Sequence, residues 1–380
     1  MPNQSAFKNR FVSLDLLRSI AITMVYLFHY GRLFKSPAWI TDSSSFGWAG
    51  VDLFFVLSGF LIATPLLEEI SQRHTLDLKT FFIKRFFRIL PAYGFVLALY
   101  YFFPLVRERG TLAPLYKYLT FTQNINLDIL HHSAFSHAWS LCVEEQFYLF
   151  FPLLLLILLH FRLYHLGQWV LFGFFCFGVL IRYLSWSYVQ DYQEGSYSQW
   201  YIWVYFPTYT RLDGLLVGIS LAALHQYRAG GLEKLRPYAA IILVSGLLVL
   251  TAGALICTDL ASFTATLVGF PIVALGYGTI VLSLILLPKQ KFPGRKLWRM
   301  LAELSYSMYL SHKIVIHLTQ RYAGEWGLAK DGNAMFLLCT LLTVGVAYLM
   351  HIAIERPFLQ LRHKVLPTPV VQVPHVGVVR

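Results

Sequence analysis

The chain has 380 residues, 57% hydrophobic and 17% aromatic, with only 13% charged, against about 25% charged in an average soluble domain. Its formal net charge is +12, but the basic residues track the gaps between apolar runs instead of forming one patch. Composition therefore excludes a soluble enzyme, removes the case for a nucleic-acid partner, and points to a membrane protein.

A helix needs about 20 apolar residues to cross a hydrocarbon core of about 30 Å. Ten such windows are present: 12–33, 48–67, 87–105, 141–160, 167–187, 206–226, 238–257, 264–287, 301–320 and 333–354. The expected fold is an all-α, polytopic bundle of about ten membrane-spanning helices, multi-pass in a plasma (inner) membrane. With a cytoplasmic N-terminus, twenty Lys and Arg fall in inner segments and seven in outer ones (Arg32, Lys35, Arg107, Arg109, Lys117, Arg321 and Lys330). The positive-inside rule thus favours both termini in the cytoplasm. The first apolar run has no small-residue cleavage site after it and reads as a retained helix. Residues 1–364 are expected to form one membrane unit, and 365–380, rich in Pro and Val, a disordered tail. Cys142, Cys176, Cys257 and Cys339 lie in or beside apolar runs without CxxC spacing, which indicates neither a disulfide framework nor a metal site.

The first window carries Asp15, Arg18 and His29. Eleven positions at about 100° each come within roughly 20° of three full turns, so Arg18 and His29 share a face about 16 Å apart along the axis. Asp15, three residues before Arg18, is placed to pair with it. Ionisable groups inside a span are functional candidates by default; the alternative is a structural ion pair and a histidine bonded to a neighbouring helix. The third segment is entered through Lys79-Thr-Phe-Phe-Ile-Lys-Arg-Phe-Phe-Arg-Ile-Leu-Pro91. Arg85 and Arg88, three apart, are either a pair of guanidinium forks for phosphate or ordinary basic flanking.

The fourth opens as His137-Ala-Trp-Ser-Leu-Cys-Val-Glu-Glu-Gln-Phe-Tyr148. Ser140 has N-cap chemistry, and Glu144 and Tyr148 follow it at four-residue steps on one face. Two adjacent carboxylates, Glu144 and Glu145, exceed what capping requires. Arg211 and Asp213 open the sixth window, and the ninth holds Ser305-Tyr-Ser-Met-Tyr-Leu-Ser-His312. These either line a pocket or bond neighbouring helices.

Together these motifs resemble the acyltransferase-3 family of membrane acyltransferases, over essentially residues 10 to 360. The likeness is carried by Leu14-Asp-Leu-Leu-Arg-Ser-Ile-Ala21 with the spacing that ends at His29, by Gly50-Val-Asp-Leu-Phe-Phe-Val-Leu-Ser-Gly-Phe-Leu-Ile62, and by the Arg85–Pro91, His137–Tyr148 and Ser305–His312 runs. The resemblance implies a ten-helix unit that moves an acyl group, most often acetyl, from cytoplasmic acyl-CoA to a hydroxyl of a carbohydrate or glycolipid such as lipopolysaccharide O-antigen or exopolysaccharide. Many relatives append an extracytoplasmic esterase-like domain; without one here, the bundle alone is expected to complete the transfer. On this reading Arg18, Arg85 and Arg88 hold acetyl-CoA and His29 is the base. Glu144 or Glu145 orients His29 or binds acceptor, and Asp15, Trp139, Ser140, Tyr148 and Arg211 contact substrate, without a metal. A covalent acyl-histidine at His29 is a second route. A transporter or flippase, with the same ionisable groups lining a path, is the rival of another class.

Overall fold

The computed structural model describes residues 12–287 and 294–366. Among them are ten α-helices of 15 residues or more and no strand. In chain order these are α1 (Val12–Leu33), α2 (Gly50–Arg73), α3 (Leu78–Phe102), α4 (Trp139–His160), α5 (Gly167–Tyr192), α6 (Asp213–Tyr227), α7 (Ala239–Ile256), α8 (Phe270–Leu286), α9 (Arg295–Glu325) and α10 (Asn333–Met350). A π-helical turn, His351–Glu355, leads α10 into α11 (Arg356–Val365). The tail expected to be disordered lies, from residue 367, outside the described residues.

Six stretches among the described residues are long and apolar enough to cross a membrane, and they contain α2, α4, α5, α7, α8 and α10. Of the other long helices, α6 has 15 residues. The remaining three, α1, α3 and α9, carry charged residues within their length, among them Asp15 and Arg18, Lys84, Arg85 and Arg88, and Glu303 and Lys313. The protein is thus an all-helical membrane bundle. Its centre is α2, with 78% of its apolar stretch buried, whereas α5 has 11%. Phe172, Phe177, Leu180 and Leu184 of α5 are exposed, a surface that a bilayer, not water, satisfies. Cys176 on the same helix is exposed as well, unlike the buried Cys142, Cys257 and Cys339.

Three helix boundaries differ from the apolar windows. Helix α3 begins nine residues before its window because Asp77 caps it, accepting from the Thr80 amide at 3.0 Å. The Thr80 hydroxyl and amide both favour the charged carboxylate, holding Asp77 below the usual range. The basic run is therefore itself helical, which an apolar window cannot register. Helix α9 likewise starts at Arg295. Helix α6 starts seven residues late, because the segment before it breaks into the π-helical Tyr201–Tyr205 and a turn fixed by Pro207.

The closest helix pairing joins α2 to α6. Gly214 and Gly218 sit one turn apart on α6; a Cβ on Gly218 would meet the Val56 carbonyl and the Phe60 amide, and one on Gly59 of α2 would meet the Leu215 carbonyl. This is small-residue packing that lets backbones touch, the main attraction available between helices in lipid. Gly218→Leu should force the pair apart, leaving little monodisperse protein in detergent-phase size-exclusion chromatography; a wild-type profile would refute this packing role.

Two buried ion pairs hold the same region. Arg211 Nη2 lies 2.9 and 3.0 Å from the carboxylate oxygens of Asp52 on α2. Arg182 of α5 grips Asp213 through both terminal nitrogens and donates to the Thr210 carbonyl at 2.9 Å. Arg211 is 1% exposed and Arg182 fully buried. The segment between α3 and α4 folds back as a cap that reaches the turn before Arg211. Tyr118 and Phe135 are fully buried there, Asn124 bonds the Phe206 carbonyl and Thr208, and Glu108 pairs with Lys313 of α9.

Candidate active site

Helices α1, α2, α3, α4 and α9 line a partly open cavity of about 110 Å³, whose polar wall is formed by Arg18, Ser58, Arg85, Arg88, Ser140, Glu144, Glu145, Tyr148, Ser305, Tyr306 and Tyr309. Helices α1 and α9 run side by side in the same direction: the Ser19 hydroxyl lies 2.7 Å from the Trp298 carbonyl, and His29 meets His312. At 1.5 Å per residue, Arg18 and Arg85 each lie about 9–10 Å from the first residue of their helices and Arg88 about 15 Å. His29 and His312 each lie about 26 Å along. The guanidiniums thus gather toward the helix starts that carry Lys79, Lys84, Arg295 and Lys296, and the histidines stand toward the other end.

Among the described residues no carboxylate lies within ion-pairing distance of Arg18, Arg85 or Arg88. The expected Asp15–Arg18 pair is therefore not formed, and Asp15 does not line the cavity. Arg85 instead rests on the rings of Tyr148, 5.2 Å from its centroid, and Phe81, 5.7 Å. Three guanidiniums without a carboxylate partner in one cavity have the chemistry to receive a multiply charged anion.

Glu144 accepts from Ser58 Oγ at 3.0 Å and from the Tyr148 hydroxyl at 2.8 Å, the latter across the four-residue step that the sequence predicts. Glu145 lines the cavity and makes no hydrogen bond among the described residues. Ser140 does not cap α4. Its hydroxyl lies 2.6 Å from the Tyr309 hydroxyl, which donates to the His137 carbonyl. Trp139 packs edge-on against Phe55 and stays outside the cavity. Arg211 is also elsewhere, paired with Asp52 under the ring of Phe270 at 4.1 Å.

Beyond Tyr309 stand three imidazoles. His29 Nδ1 is 2.7 Å from His312 Nε2. The ring centroids are 4.9 Å apart and the planes differ by 20°. So short an N···N distance with nearly parallel planes means the rings meet edge to edge, as a ring-to-ring hydrogen bond requires. His137 lies 5.1 Å from His312 and 6.0 Å from His29, centroid to centroid. Among the described residues no group of three or more His, Cys, Asp or Glu is arranged to hold a metal. The side chain that meets His29 is His312, not Glu144 or Glu145. Sequence reasoning left His312 with two readings and did not select Ser58 or Tyr309. Ser305, Tyr309 and His312 follow at steps of four and three on one helical face, a signal that would have found two of them.

Residues 11–352 match the family model described as "Acyltransferase domain". The chain belongs to this acyltransferase family. Among curated proteins it is 34% identical over 230 residues to one named "Putative O-acetyltransferase SACOL0978" from Staphylococcus aureus (strain COL), covering 57% of this chain and 35% of that protein. It is 32% identical over 223 residues to "O-acetyltransferase OatA" of S. aureus (strain NCTC 8325 / PS 47), covering 55% of this chain and 34% of that protein. The chain thus spans about a third of the length of these relatives. No solved structure matches it. The match encloses all three guanidiniums, Glu144 and both members of the His29–His312 pair.

Proposed function

We propose that this acyltransferase moves an acetyl group from acetyl-CoA, bound from the cytoplasmic end of the cavity, to a hydroxyl of a cell-surface or exported carbohydrate or glycolipid at a plasma membrane. The observation that carries the reading is a cavity holding three guanidiniums without a carboxylate partner, with a hydrogen-bonded histidine pair beyond Tyr309 of its lining. The names of the matched relatives support O-acetylation.

The chemistry follows from the arrangement. CoA is a multiply phosphorylated anion on a long flexible arm, and guanidiniums are its natural ligands. The 16 Å or so between Arg18 and His29 is a length that an extended pantetheine chain covers, so phosphates held near Arg18, Arg85 and Arg88 leave the thioester near His29. His29 then takes the acceptor hydroxyl proton as its oxygen attacks the thioester carbonyl. The carbon–sulfur bond breaks, CoA leaves as thiolate and receives that proton from the imidazolium, and the products are an ester and free CoA. The carbonyl carbon needs no oxidant or second nucleophile.

The test is release of radiolabelled acetyl from acetyl-CoA by the purified protein in liposomes, with and without an added glycan acceptor. Wild type should consume acetyl-CoA. Arg85→Ala should raise KM by about 10–100-fold, the 1.5–3 kcal/mol or so of one charge-assisted contact, with little change in kcat. If the intact wild type binds no acetyl-CoA, the reading fails and a transport role for the same residues gains ground.

A further inference from the structure

His312 sits in the middle of α9, 1% exposed, and nothing said above requires a second histidine. Its hydrogen bonds define what it does. Nδ1 lies 2.8 Å from the Tyr309 carbonyl and 3.1 Å from that of Met308. A bare ring nitrogen there would oppose its lone pair to those of two carbonyls, so Nδ1 carries the proton. In the neutral ring Nε2 is then the acceptor. Among the described residues the group on it is His29 Nδ1, at 2.7 Å, and that contact is a bond only if His29 Nδ1 is protonated. Two bare nitrogens cannot share it. In neutral His29 the remaining nitrogen, Nε2, is left with its lone pair free.

We infer that His312 is a positioning residue that fixes His29 in the tautomer whose Nε2 is unprotonated and whose Nδ1–H points at His312 Nε2. The backbone carbonyls of Met308 and Tyr309 set His312, His312 sets His29, and His29 presents a basic nitrogen in one orientation. The logic is that of a catalytic triad's orienting acid, with a backbone-anchored imidazole in the acid's place. The neighbouring Lys313 is occupied elsewhere, with Glu108, so it does not compete for the His29 ring. The inference deepens the reading of His29 as base and rests on it for the kinetic part, but not for the tautomer.

The experiment has two arms on the full chain in liposomes. In the first, protein labelled with ¹⁵N-histidine is studied by solid-state NMR, and the His29 signals are assigned by their loss in His29→Ala. Wild type should show a protonated Nδ1 and a bare Nε2 on His29, and His312→Ala should convert His29 to a mixture or to the other tautomer. In the second arm, acetyl-CoA turnover should fall about 100-fold or more in His312→Ala with KM for acetyl-CoA unchanged. His312→Gln, whose amide oxygen can still accept from His29, should recover to within about tenfold. A protonated Nε2 on wild-type His29, or His312→Ala with wild-type kcat, would overturn the inference. Absence of turnover in wild type itself defeats the proposed function instead, and the NMR arm still decides the tautomer.

Discussion

His29→Ala should lower acetyl-CoA turnover by about 10²–10⁴-fold, the usual contribution of a positioned general base. KM for acetyl-CoA should change little, because the guanidiniums that hold the donor lie some 10–16 Å nearer the starts of their helices. The size-exclusion profile should match wild type, since His29 is only part-buried and its partner is one imidazole. Imidazole added in bulk should restore part of the rate. Turnover retained without His29 would remove the base from the histidine pair and shift attention to Glu144 and Glu145, which line the cavity itself. Radiolabel trapped on the protein in the absence of acceptor, and lost in His29→Ala, would select the covalent route over direct transfer.

Arg211→Ala should cost about 3–5 kcal/mol, because it strands Asp52 in the core of the bundle with its only strong partner gone. The expected result is loss of folded protein in a thermal unfolding series in detergent, not a selective loss of activity. The double variant Asp52→Asn with Arg211→Met should recover most of that loss, since no uncompensated charge remains and the methionine refills the space beneath Phe270. It should also turn over acetyl-CoA. A folded double variant with raised KM would return Arg211 to the substrate-binding role that its position in the sixth window suggests.

Much of what depends on one helix at a time was legible in the sequence, although the Asp15–Arg18 pair and the Ser140 cap, both single-helix expectations, do not form. The shared face of Arg18 and His29, the proximity of Arg85 and Arg88, and the Glu144–Tyr148 step all follow from 3.6 residues per turn, and the structure has each on its helix as expected. What depends on two helices was not legible. His29 and His312 are 283 positions apart and Arg211 and Asp52 159, and no local rule says which buried cation meets which anion. Arg211 looked like Arg18 in composition and context, yet one is an internal strut and the other lines the cavity unpaired. The start of α3 was missed for a different reason. An apolar window measures what can sit in lipid, whereas Asp77 and the basic turn after it are set by capping and by the interface.

The Arg211–Asp52 and Arg182–Asp213 pairs also impose a schedule on synthesis. Chains grow at about 5–20 residues per second, and Asp52 precedes Arg211 by 159 residues, so roughly 8–30 s pass before its partner exists. Arg182 waits only about 2–6 s for Asp213, which follows 31 residues later. Through that longer interval the Asp52 carboxyl of α2 lacks the guanidinium that holds it in the folded protein. The packing of the most central helix is therefore completed late, when Arg211 and α6 arrive.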